Sequence, residues 1–168
     1  MNLLFTLCAR AGSKGIKGKN AGDLAGLPLA YYTLAVIDLY KEAHPDDDID
    51  VVLSTDSDEL MELVEASGID HLNVGRPEEL AGDKVAKIDA IRYAFQEAES
   101  RTGKHYDAVI DLDNTSPLRT LDDLERVVEK RCSSMVPVIF TVVPARRNPW
   151  FNMVIEQDGV CKKVLESD

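Results

Sequence analysis

The chain has 168 residues, 45% of them hydrophobic, and a formal net charge of −11. That size suits one domain with a single core, and the composition lacks the low hydropathy that keeps a chain disordered. The acid excess speaks against nucleic acid as a partner, because a phosphate backbone demands accumulated Lys and Arg, and no apolar run approaches the ~20 residues of a membrane helix.

The opening run from Asn2 to Ala9 is too short for a span and lacks the basic leader of an export signal. It reads as a buried strand over Leu3 to Ala9, and the expected location is the cytoplasm. Leu29, Thr33, Val36, Ile37 and Tyr40 then recur at helical spacing. Asp50 to Ser54 is a short β-branched strand. Leu60, Leu63 and Val64 mark a short helix ended by Gly68. Asp70 to Val74 is a candidate third strand, and Ile88, Ile91, Phe95 and Ala98 form another helical stripe. Ala108 to Leu112 reads as a buried strand. Thr120 opens a helix with Asp123 placed as the acidic partner of a capping box. Met135 to Val143 reads as a long apolar strand with Pro137 near its start.

Strands separated by helices imply βαβ units, hence a three-layer α/β/α fold with a mostly parallel sheet. With no repeat, low-complexity tract or linker, one domain over residues 1–168 is expected. Cys8, Cys132 and Cys161 form no C-x-x-C pair and read as buried free thiols. His44, His71 and His105 each flank a charged or turn-like stretch and read as surface residues.

In such sheets ligands bind beyond the carboxyl ends of the strands, so the loops there carry the chemistry. The first runs from Ala9 to Asn20. Gly12, Gly15 and Gly18 let backbone N–H groups approach a ligand, while Arg10, Lys14, Lys17 and Lys19, with no acid among them, can neutralise a triphosphate. The spacing matches neither a Walker A loop nor G-x-G-x-x-G. The second, Ser54-Thr55-Asp56-Ser57-Asp58, reads equally as a helix cap. In the third, from Gly75 to Lys84, Arg76 could meet a phosphate or a base carbonyl. The fourth contains Asp111 and Asp113, an i, i+2 pair on one strand face. Buried there, the two are costly unless they hold a metal such as Mg²⁺ or accept hydrogen bonds; the alternative is that one of them caps the next turn. In the fifth, Arg146 and Arg147 could meet a phosphate or a substrate carboxylate, and Trp150 and Phe151 a sugar or another subunit.

Together these blocks resemble the acylneuraminate cytidylyltransferase family, the CMP-sialic acid synthetases and their relatives. The likeness rests on Ala-Arg-x-Gly-Ser-Lys-Gly-x-x-x-Lys-Asn from Ala9 to Asn20 and Ser-Thr-Asp-Ser from Ser54 to Ser57. It continues through Arg76-Pro77 with Leu80, Ala81 and Asp83, and through Thr-Ser-Pro-Leu-Arg from Thr115 to Arg119. The resemblance implies a Rossmann-like α/β fold and a homodimer that binds CTP with Mg²⁺ and joins CMP to an acidic nine-carbon sugar. It implies a nucleotide-binding set of Ala9, Arg10, Gly12, Ser13, Lys14, Lys19, Asn20, Arg76 and Asp83. The implied catalytic set is Arg10, Lys19 and Asp113. Thr115, Ser116 and Arg147 would face the sugar, and Asp113 with Asp111 are the metal candidates. Many sialate synthetases have Gln-Pro where this chain has Asp113-Asn114; the Leu-Asp-x-Thr-Ser-Pro form and the stretch from Arg147 to Met153 look more like the legionaminic-type branch. Family members continue into an Arg-Pro-x-Gly segment and an Ile-Asp-x-x-x-Asp metal motif, neither of which occurs here, so a C-terminally shortened member is expected. The alternatives are a CTP-binding fragment of impaired turnover and a nucleotidyltransferase for another 2-keto acid sugar.

Overall fold

The computed structural model describes every residue except 13, 14, 83, 145, 148, 150–152 and 166–168. In chain order the elements are β1 (Asn2–Cys8), β2 (Asp23–Leu24), β3 (Leu27–Pro28), α1 (Leu29–Ala43), β4 (Asp48–Thr55), α2 (Asp58–Ala66), β5 (Leu72–Gly75), α3 (Glu78–Ala81), α4 (Lys87–Thr102), β6 (Ala108–Asp111), α5 (Leu121–Cys132), β7 (Val154–Gln157) and β8 (Val160–Lys163). Residues Met1–Val138 form one compact unit and Ile139–Asp168 a second.

The first unit is built on a parallel sheet in the order β5-β4-β1-β6. β1 is central and buried on both faces, which is why it reads as an unbroken apolar run. Its side chains alternate between two cores. Leu3, Phe5 and Leu7 join the larger cluster, with Leu34 and Ile37 of α1, Leu60 and Val64 of α2, and Leu124 and Val128 of α5. Leu4 joins the smaller one, with Val52, Val74 and α4 residues Ala94 and Ala98. Helices thus cover both faces, the three-layer α/β/α arrangement expected.

The helix ends follow local chemistry. The Ser57 hydroxyl accepts from the Leu60 N–H at 3.2 Å and caps α2. At α5 the expected capping box forms, Thr120 bonding the Asp123 N–H and the Asp123 carboxylate bonding the Thr120 N–H. Ser57→Ala is expected to cost about 1 kcal/mol of stability, read as a lowered urea midpoint at unchanged slope.

Four expectations change. The α4 stripe is not the one carried by its large residues. Ala90, Ala94 and Ala98 are the buried face, and Ile88 is 55% exposed. Small side chains every fourth residue let the helix lie close on β1 and β4, and Ile88 would hold it off. The apolar segment from Met135 to Val143 is not a strand; Met135, Val138, Phe140, Val142 and Val143 are exposed, and no described strand pairs with it, although β6 is an edge strand of the sheet. Cys132 and Cys161 are exposed and only Cys8 is largely buried; all three are free thiols. The His71 side chain is 5% exposed, its Nδ1 within 2.9 Å of the Ile69 carbonyl.

In the second unit β7 and β8 pair antiparallel across Asp158 and Gly159. Both turn residues have positive φ, 54° and 76°, the geometry of a tight hairpin and one that Asp-Gly supplies readily.

Candidate active site

A cleft of about 250 Å³ opens in the first unit where β1, β4, β5 and β6 end. Ala9, Arg10, Lys19 and Asn20 line it from the first loop, and Arg76 from the loop after β5. Asp113 and Thr115 line it after β6, and Lys87 from the start of α4. Three chain segments far apart in sequence, following β1, β5 and β6, meet there because parallel strands bring their carboxyl ends to one edge.

Short polar bonds fix the first loop. The Ala9 N–H donates to the Ser54 carbonyl at 3.1 Å, continuing the β1–β4 ladder past the strand. The Ala11 N–H donates to Asp56 Oδ1 at 2.7 Å, so the residue after the β4 end works as a loop anchor. Arg10 Nη1 donates to the Ala81 carbonyl at 3.3 Å, reaching the far wall. Asn20 Nδ2 donates to the Arg10 carbonyl at 2.9 Å, and Asn114 Nδ2 donates to the Asn20 carbonyl at 3.1 Å. Asn114, 3% exposed, is therefore the buried peg tying the first loop to the end of β6. Of the three loop glycines only Gly18 needs a left-handed backbone (φ 63°), inside the consecutive turns that swing Lys19 and Asn20 back to the cleft. Gly12 is exposed.

The floor is charged. Lys87 Nζ lies 2.6 Å from Asp111 Oδ2 and 3.5 Å from Asp113 Oδ2. Asp111 also accepts from the Thr6 hydroxyl at 3.1 Å. Asp113 lies past the end of β6, where the Thr115 N–H and hydroxyl bond its Oδ1 at 2.9 and 2.8 Å. It is thus both a turn cap and half of a carboxylate pair. Burial opposes the Asp113 charge, but the bonds from Thr115 and then Lys87 outweigh it and hold the carboxyl below its usual range. Burial likewise opposes the Lys87 charge, and attraction and hydrogen bonding from Asp111 outweigh it, so this ammonium sits above the usual lysine value. Burial, helped by Asp111, pushes the Cys8 thiol up to about 11, leaving it protonated and a poor nucleophile at neutral pH.

Two features await a ligand. Arg76 has Nε and Nη2 buried with no hydrogen-bond partner. The α4 N-cap, Ala86, offers no side-chain cap; the Asp89 N–H turns back to the Ala86 carbonyl at 3.0 Å, and those of Lys87 and Ile88 lie open beside the cleft that Val85, Ala86 and Lys87 line. Arg119 supports the site from behind, its Nη2 bonding the Asp113 carbonyl at 3.2 Å; burial lowers its pKa against the pull of Asp113 and Asp111.

A cytidylyltransferase family model matches residues 5–153. The chain belongs to the cytidylyltransferase family. It is 36% identical over 168 residues to post-translational flagellin modification protein B of Campylobacter coli, covering 98% of this chain and 66% of that protein. It is 33% identical to CMP-N,N'-diacetyllegionaminic acid synthase of Campylobacter jejuni, covering 99% of this chain and 68% of that protein. To N-acylneuraminate cytidylyltransferase of Escherichia coli it is 36% identical over 117 residues, 70% of this chain and 25% of that one. The chain thus spans about two thirds of the length of the first two relatives. Among solved structures, CMP:2-keto-3-deoxy-manno-octonic acid synthetase complexed with CTP shares the fold, with a TM-score of 0.58 at 18% identity, covering 77% of this chain and 47% of that one. The family likeness read from the sequence blocks and the Rossmann-like fold are both borne out.

Of the residues expected in a cytidylyltransferase site, Ala9, Arg10, Lys19, Asn20, Arg76, Asp113 and Thr115 come together. Gly12 and Ser116 are exposed and do not line the cleft, and Asp111 reaches it through Lys87. Ser13, Lys14 and Asp83 lie outside the described residues. Arg147 is exposed in the second unit. Sequence reasoning missed Lys87 and Asn114. Asn114 stood inside the Asp113-Asn114 departure from the sialate pattern, but Lys87 carried no signal of its own.

Proposed function

We propose that this chain transfers CMP from CTP to a hydroxyl of an acidic nine-carbon sugar of the sialic or legionaminic type, with release of pyrophosphate. The oxygen–phosphorus bond to the sugar forms as the bond between the α- and β-phosphates breaks, and the sugar hydroxyl loses its proton. Positioning and charge stabilisation supply most of such a step, and the cleft is built for both. Lys19, Arg10 and the open start of α4 receive the triphosphate, with Ser13, Lys14 and Gly12 completing the loop. Asn20, pinned by Asn114, takes the ribose, while Arg76 and Asp83 border the cytosine. Thr115 and Ser116 meet the sugar. The observation that carries this reading is Arg76, whose buried, unpartnered guanidinium edge in a family nucleotide cleft calls for an oxygen acceptor.

Mg²⁺, the ion this family resemblance implies, would offset phosphate charge. The described residues do not fit a preformed site for it. They contain no group of three or more His, Cys, Asp or Glu side chains able to hold a metal, and Asp111 and Asp113 already face an ammonium. We place the protein in the cytoplasm, where CTP is made, as a homodimer serving cell-surface glycan synthesis. Among the described residues no helix is long and apolar enough to cross a membrane.

A second reading, CTP binding without turnover, is favoured by Asp111 and Asp113 being held by Lys87, with no group of three or more metal-binding side chains among the described residues. Calorimetric titration with CTP, ATP, GTP and UTP, beside pyrophosphate release with a panel of acid sugars, separates the two. CTP-selective binding with sugar-dependent release supports transfer. CTP-selective binding alone supports the second reading, and no preference for CTP sinks both. Lys19→Ala is expected to weaken CTP binding by about 1–3 kcal/mol, and Arg10→Ala by a similar amount, each losing a charge-assisted contact.

A further inference from the structure

The Asp111–Asp113 pair presents two carboxylates to one point at the cleft floor, and that point is held by Lys87. The contact is built from three sides. Thr6, on the same face of β1 as Cys8, fixes Asp111 through its hydroxyl. Thr115 fixes Asp113 through two bonds to one oxygen, leaving the other oxygen toward Lys87. Helix α4 starts at Lys87, so its backbone position is set by the Ala90–Ala94–Ala98 face seated on the sheet. Arg76 and Arg119 add positive charge nearby, but neither makes a side-chain bond to the carboxylate oxygens.

We infer that Lys87 is the resident cation of this pair, a tethered positive charge standing where a divalent ion would otherwise bind and keeping free metal from the two carboxylates. Two adjacent carboxylates would repel the phosphates of an incoming nucleotide. With Lys87 between them the group carries one net negative charge instead of two, and the ammonium is the nearest countercharge for a phosphate passing over it. A divalent ion arriving with a triphosphate would then hold to the phosphate oxygens and any carboxylate outside this pair. Lys87 is a positioning residue in this account. The consequence for phosphates rests on the cleft being the nucleotide site, but the occupancy of the pair does not.

The test uses Mn²⁺ on the whole chain without nucleotide, read as paramagnetic broadening of the backbone amide resonances of residues 111–115. Wild-type protein and Lys87→Arg are expected to show no selective broadening at 1 mM Mn²⁺. Lys87→Met, which keeps the stem and removes the charge, should show it at tenfold lower concentration. Selective broadening in the wild type overturns the inference, as does a folded Lys87→Met that takes up no Mn²⁺. Should Lys87→Met not fold, Lys87→Gln, which keeps both carboxylates and can bond one of them without a charge, is read against the same tenfold criterion. The wild-type arm still decides, because a pair that binds Mn²⁺ with Lys87 in place is not blocked by it. CTP affinity measured on the same samples reports separately on the nucleotide reading, which survives if Lys87 fails.

Discussion

Arg76→Met is expected to weaken CTP binding by about 3 kcal/mol, on the order of a hundredfold, while leaving the ligand-free protein as stable as before or slightly more so. The two signs come from one fact. Nε and Nη2 of Arg76 are buried with no partner, so the free protein bears the desolvation cost of a charge without the bonds that offset it. A ligand oxygen supplies those bonds, and charge-assisted bonds of this kind contribute about 1.5–3 kcal/mol each. Met keeps the aliphatic stem in a cleft that Leu80 also lines and removes only the guanidinium. A merely structural arginine would behave in the opposite way, its loss lowering the urea midpoint and leaving CTP affinity alone. Calorimetry and denaturation on the same two proteins therefore decide between ligand contact and scaffold, which neither measurement does singly.

The contrast between Arg76 and Lys87 shows what the sequence makes legible. Arg76 follows a strand and precedes Pro77 in a polar loop, so position alone marks it for the carboxyl edge of the sheet. The cationic Gly-rich loop after β1 is legible for the same reason. Lys87 is an ordinary lysine at the start of a helix until folding sets it 2.6 Å from Asp111, and no local pattern encodes that meeting. Asn114 likewise acts only through Asn20, a residue of another loop. The fold divides along similar lines. β1, β4 and β6 are parallel strands with buried faces, and their apolar runs announce them. In α4 the face is set by how closely the backbone must approach the sheet, so Ala90 and Ala94 count for more than Ile88, a preference hydrophobic periodicity weighs backwards. The run from Met135 to Val143 has strand composition and no strand, because a strand is completed by its neighbour rather than by its own residues. The Asp158-Gly159 hairpin did carry a signal, and it lay unread among polar residues.

The largest loss of stability is expected from Phe5→Ala, about 3–5 kcal/mol, against a total of roughly 5–15 kcal/mol for a domain of this kind. Phe5 is fully buried at the middle of β1, with its ring 5.4 Å from that of Tyr40. It pairs with Val51 on one side and Ile110 on the other, so neither neighbouring strand can shift to fill the space without breaking its own ladder. The cavity therefore persists, which places the cost at the upper end. The ring points into the core beneath α1 and α5, whereas Leu4 and Cys8 of the same strand, and α4, belong to the opposite face. The truncation should thus leave the cleft intact. CTP at a hundred times its dissociation constant adds about 2.7 kcal/mol to any form that binds it. The Phe5→Ala protein should gain that same increment in a thermal melt, recovering much of what the cavity removes. A variant that folds but gains nothing from CTP would show that the cleft depends on this core face, and that the alternation along β1 does not separate stability from binding.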